Sequence, residues 1–141
     1  MVPEQFPSMT AQYALMALMV AVSVSDDNMR TTELAAIQRM TQSLPVFEGY
    51  DAERLRQITQ AVFDLLEEEE GLDALFGLIR QALPERLYET AYALACDVAA
   101  ADGALKQTEL RMLEEVRDEL QLDRLHAAAI ERGARARHMR A

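Results

Sequence analysis

Apolar residues recur at spacings of three and four along almost the whole chain, with only five Gly and four Pro in 141 residues, and that period predicts amphipathic helices throughout. From about Met9 to Val24 the chain is apolar nearly all round (Tyr13, Leu15, Met16, Leu18, Met19, Val20, Val22), which places the first helix at the centre of the others. A second helix, from about Thr31 to Ser43, carries the narrower stripe Leu34, Ile37, Met40 and Leu44, and Pro45 stops it by restricting the residue before it. Asp51 is the expected N-cap of a third helix with an apolar face of Leu55, Ile58, Val62, Leu65 and Leu66, closed by the run Glu67 to Glu70 and Gly71. Leu72, Leu75, Phe76, Ile79 and Leu83 mark a fourth. Pro84 suits the first turn of an alanine-rich fifth, whose small residues allow close approach to the first. A sixth helix from about Gln107 to Leu120, with the apolar stripe Leu110, Leu113, Val116 and Leu120, and a seventh from about Leu122 into an Arg-rich end (132–141) complete an all-α reading, a single compact domain of about seven helices.

The chain also repeats itself. A shift of 76 residues lays Thr32-Glu33-Leu34 over Thr108-Glu109-Leu110, Asp26 over Asp102, Met29 over Leu105 and Arg30 over Lys106. From Ala17 to Leu44 eight of twenty-eight aligned positions are identical, and the apolar period agrees as well. The shared unit, spanning about 13–44 and 89–120, is a helix rich in small apolar residues, a turn opening on Asp, and a second helix with Glu in its first turn. Both copies are therefore expected to be helical hairpins, with the first and fifth helices packed together at the centre. The second copy has the turn dipeptide Asp102-Gly103, where the first has Asp27 in place of Gly.

Composition narrows the function. With 14 basic and 24 acidic side chains the net charge is −10, which works against a grip on nucleic-acid phosphates. Cys96 is the only cysteine, so an intrachain disulfide framework, a Cys-rich zinc finger and a CxxC pair are excluded, and a reducing cytoplasm is the natural setting. The longest apolar run, Tyr13 to Val22, is ten residues, about half of a membrane span. No Gly-rich phosphate loop, GxSxG or HExxH is present, and His126 and His138 have no companion at ligand spacing, so no catalytic residue is assigned. The methionines fall mainly on apolar stripes and read as core.

The doubled acidic turn admits two readings. In the first, Arg30 and Lys106 are the N-caps, and Glu33 and Glu109 occupy the third position of their helices, bond the cap and complement the helix dipole, with Met29 and Leu34, and Leu105 and Leu110, as hydrophobic staples. In the second, Asp26, Asp27 and Glu33, with Asp97, Asp102 and Glu109, supply oxygens to a divalent cation, Ca²⁺, Mg²⁺ or Zn²⁺. Neither copy is an EF-hand, because Met, Ala, Leu and Thr fill most of the intervening positions. The arginines at 132, 135, 137 and 140 read as a solvated helix end whose cations suit the C-terminal dipole, with docking on an acidic face, a partner or an anionic membrane as the alternative.

Val-Ser-Asp-Asp (ending at Asp27) and Ala-Ala-Ala-Asp-Gly (ending at Gly103), each followed by Thr-Glu-Leu with Glu seven residues after the first Asp, resemble the tellurite-resistance TerB family and the TerB-like domain at the N-terminus of membrane-anchored J-domain co-chaperones. The likeness runs from about Tyr13 to Leu125. It implies a compact all-α cytoplasmic domain associated with tellurite resistance or an envelope and metal-stress response, with no known catalytic activity. It further implies divalent-metal binding through acidic residues, protein partners in complexes at the inner face of the membrane, and a homodimer as one form of assembly. The positions matching the family motif are Asp26, Glu33, Asp102 and Glu109. Asp27 in place of Gly departs from the motif, and the few lysines depart from what steering to an anionic membrane favours.

Overall fold

Helices α1 (Ala11–Ser23), α2 (Thr31–Ser43), α3 (Arg54–Leu66), α4 (Gly71–Ala82), α5 (Tyr88–Ala99), α6 (Gln107–Glu119) and α7 (Arg124–Arg137) follow one another in a computed structural model that describes residues 9–24, 31–101 and 107–141. Two short 3-10 turns, Pro45–Phe47 and Glu85–Leu87, lie between α2 and α3 and ahead of α5. No strand occurs among the described residues, and the helices share one core. None of them is long and apolar enough to cross a membrane.

The centre of that core is α1. No charged residue lies between Met9 and Val24, so the helix can be packed on every side without stranding a charge. All ten residues from Ala14 to Ser23 are buried. Full burial of each large side chain, such as Leu15, Met16, Leu18 or Met19, contributes roughly 1.5–3 kcal/mol. Thr10 caps the helix, its hydroxyl accepting from Tyr13 N–H at 3.2 Å. Gln12 ties its first turn to the 3-10 segment, donating to the carbonyls of Val46 (3.2 Å) and Glu48 (3.0 Å). The expected contact between first and fifth helices is present: α1 packs on α5, and also on α2, α3, α4 and α6. The hairpins interlock, since α2 reaches across to α5 and α6 to α1.

Four local expectations change. Pro84 stands ahead of the 3-10 turn Glu85–Leu87 and not in the first turn of α5, which begins at Tyr88. Asp51 stands ahead of α3 rather than capping it: its Oδ1 accepts from Glu53 N–H at 3.0 Å, forming a turn before the helix begins at Arg54. Gly71 opens α4 instead of ending α3. A Cβ there would lie 1.9 Å from the Leu65 carbonyl oxygen, so the glycine permits the close backbone approach, while the left-handed conformation falls on Glu70 (φ +58°). The last helix starts at Arg124, not Leu122, because α6 ends in a Schellman turn. Leu122 N–H bonds the Arg117 carbonyl at 3.1 Å with Gln121 left-handed, and Asp123 then caps α7 through Leu125 N–H (2.9 Å) and His126 N–H (3.1 Å).

Candidate functional site

The repeat marks two equivalent stretches of sequence, the segments joining α1 to α2 and α5 to α6, where the sequence leads one to expect turns opening on Asp. Asp26 and Asp27 in the first and Asp102 in the second lie outside the described residues, as do Met29, Arg30, Leu105 and Lys106 of the expected staples and caps. Glu33 and Glu109 are described, and each is the third residue of its helix. Their exposures are 1% and 2%, and they are the only buried acidic residues among those described. A carboxylate taken out of water is costly unless polar or charged groups compensate it. The first turn of a helix supplies part of that compensation through its N–H groups and dipole. The two glutamates therefore occupy matching, sheltered positions at the head of α2 and α6, flanked in sequence by the aspartate-bearing turns. Their oxygen-only chemistry suits hard cations.

Asp97 sits differently. It lies in the last turn of α5 and faces α7, where its Oδ1 accepts from Arg137 Nη2 at 2.7 Å and Nε at 3.2 Å and lies 3.2 Å from His138 Nε2. Part of the Arg-rich end is thus docked on an acidic side chain of its own domain rather than merely solvated. His126, likewise, lies 3.0 Å from Glu89. Among the described residues no group of three or more His, Cys, Asp or Glu is placed to hold a metal ion. A cation shell built on Glu33 or Glu109 would need oxygens from the aspartate turns.

A second constellation had no signal in the sequence. Tyr92 of α5 donates its hydroxyl to the Glu131 carboxylate of α7, and Arg117 of α6 donates to the same carboxylate oxygen at 3.0 Å. Burial and the bond to Glu131 push the Tyr92 hydroxyl far above its ordinary pKa. Beside it, burial pushes the Cys96 thiol up to about 12, so both groups are neutral at pH 7. These residues line a groove of about 470 Å³ between α5, α6 and α7. Gaps of 25 and 14 residues separate Tyr92, Arg117 and Glu131, so no short motif could have joined them.

Comparison with known proteins gives one match: the family model for tellurite resistance protein TerB covers residues 12–132. No curated protein and no solved structure matches significantly.

Proposed function

This chain belongs to the tellurite-resistance TerB family, and on that premise we propose that it is a non-enzymatic module that binds a divalent cation through its two acidic turns and acts through protein partners. The observation that supports this reading is the matched burial of Glu33 and Glu109, the same residue of each repeat unit, beside turns rich in aspartate. Asp26 and Asp27 join Glu33 in the first site, and Asp102 joins Glu109 in the second. The cation, Ca²⁺, Mg²⁺ or Zn²⁺, would cross-link the turn to the following helix, and its loss would loosen the turn that a partner reads. Asp97 is committed to α7 and contributes at most indirectly. The partners are proteins, including membrane-associated ones, with a second copy of the chain among them; the setting is the cytoplasm or the inner face of the membrane. The net charge of −10 disfavours nucleic acid and gives no attraction for a tellurium oxyanion, so the role is in assembly or signalling rather than direct detoxification.

The third-residue position of both glutamates also favours a second reading, in which they serve only as caps. Calorimetric titration of the metal-stripped protein with Ca²⁺, Mg²⁺, Mn²⁺ and Zn²⁺ separates the two. The expected result is saturable binding by wild type, lost in the Glu33→Gln/Glu109→Gln and Asp26→Asn/Asp102→Asn variants. Absence of binding by wild type, with the Gln variant merely less stable, leaves the caps as the whole explanation.

A further inference from the structure

The groove between α5, α6 and α7 is separate in composition from the proposed cation sites: neither Glu109 nor Asp97 lines it. Its volume, about 470 Å³, lies within the range of small-molecule sites, roughly 300–1,000 Å³. Apolar side chains that would ordinarily be covered stand open around it. Leu110, on the stripe expected to be buried, is 40% exposed, and Met139 is 69% exposed; both line the groove, and the only other large apolar side chain so exposed among the described residues is Leu125.

The polar groups of the groove are unevenly committed. Glu131 already accepts from Tyr92 and Arg117, and Glu114 is exposed at the rim. Arg117 spends one guanidinium nitrogen on Glu131 and keeps the rest of a planar donor fork, and Arg135 forms no ion pair among the described residues. The floor, Tyr92 and Cys96, carries no charge at neutral pH. A cation would meet two guanidinium groups, while of the two carboxylates Glu131 is already neutralised and Glu114 stands out at the solvated rim; a purely apolar ligand would leave the guanidinium donors unused. The complementary ligand has a planar anionic head and an apolar body.

We propose that this groove binds a single amphipathic carboxylate, a free acid with an alkyl body, its head held by Arg117 and Arg135 and its chain lying along Leu110, Leu113 and Met139. The site goes beyond the cation-binding reading and does not depend on it.

The test is titration of the full, metal-stripped chain with decanoate below its micelle concentration, followed by amide NMR shifts, with acetate, decyltrimethylammonium and phosphatidylglycerol vesicles in parallel. Saturable decanoate shifts confined to α5, α6 and α7, without saturation by acetate, are expected. Arg135→Glu and Leu110→Asp, both at exposed positions, should each weaken decanoate binding by at least about ten-fold while leaving the melting temperature near that of wild type. Equal binding of decyltrimethylammonium, unchanged affinity in Arg135→Glu, or binding to vesicles but not to free decanoate would overturn the proposal.

Discussion

The α1–α2 and α5–α6 hairpins descend from one sequence pattern and are used in two different ways. Residues of α1 are surrounded, and its polar concession within the buried span is small: Ser23 donates its hydroxyl to the Met19 carbonyl at 2.9 Å and needs nothing outside its own helix. At the position equivalent to Ala21, 76 residues on, α5 carries Asp97; at those equivalent to Met16 and Val20 it carries Tyr92 and Cys96. The difference follows from the cover. Several helices pack on α1, whereas α5 is covered on one side by α7, whose only buried residues are Ala127 and Ala134. An alanine-faced helix brings little apolar area, so α5 and α7 are also joined by Tyr92–Glu131, Asp97–Arg137 and Glu89–His126. Burial on all sides forbids charge in the first copy; a thin cover permits it in the second.

Exchanging the side chains that differ breaks the comparison most severely in the direction of the centre. Ala21→Asp imports the second copy's residue into a fully buried site without its arginine, and should destabilise by about 3–5 kcal/mol, the range for an uncompensated buried charge. Urea denaturation measures it. A loss below 1 kcal/mol would mean that α1 is far less enclosed than its burial indicates.

Next in size is the pair Met19 and Ala95, which share one repeat position and are both fully buried. Met19→Ala opens a cavity at the centre and should cost about 2–5 kcal/mol. Ala95→Met crowds the α1–α5 contact and should cost about 1–3 kcal/mol. If instead Ala95→Met were neutral, the small residues of α5 would not be setting the close approach of the two helices. The reverse of the first exchange is the mild one. Asp97→Ala removes a partly exposed ion pair, so a loss of only about 0.2–1 kcal/mol is expected, shrinking further in high salt.

What the sequence could show divides along the same line. Periodicity alone places α2 at Thr31–Ser43 at both ends and brings the first and fifth helices together, because apolar spacing reports directly on burial. It misplaces Leu110, whose spacing matches Leu34 but whose side of α6 borders the groove. The close approach at Gly71 was also invisible, since it depends on the Leu65 carbonyl of another helix. Of the candidate cation ligands, the repeat singles out Glu33 and Glu109 as a matched pair, and burial sets them apart from the other described acidic residues. Asp97 lies near Asp102 and Glu109 in sequence, whereas its partners come from forty residues further on.

The exchange that distinguishes the copies most cleanly shows its effect in alkali. Cys96 stands where the first copy has Val20, so only the second copy carries a thiol at this position. Burial raises the thiol from its ordinary value near 9 to about 12, which means that the fold favours the neutral form more strongly than the unfolded chain does. Its contribution is fully present below pH 9 and is lost as pH rises from 9 toward 12, where the unfolded chain gains by ionising. Tyr92, raised by burial and by its bond to Glu131, has the same sign, with loss beginning above about pH 10. Cys96→Val, a substitution of similar size, should change stability by less than about 1.5 kcal/mol at pH 7. Between pH 9 and 12 the variant should lose stability less steeply than wild type, and adding Tyr92→Phe should flatten the remaining slope. Denaturant midpoints collected across that range decide it: identical slopes for wild type and Cys96→Val would show that the thiol ionises as readily in the fold as in the unfolded chain, and that α7 leaves α5 open to water.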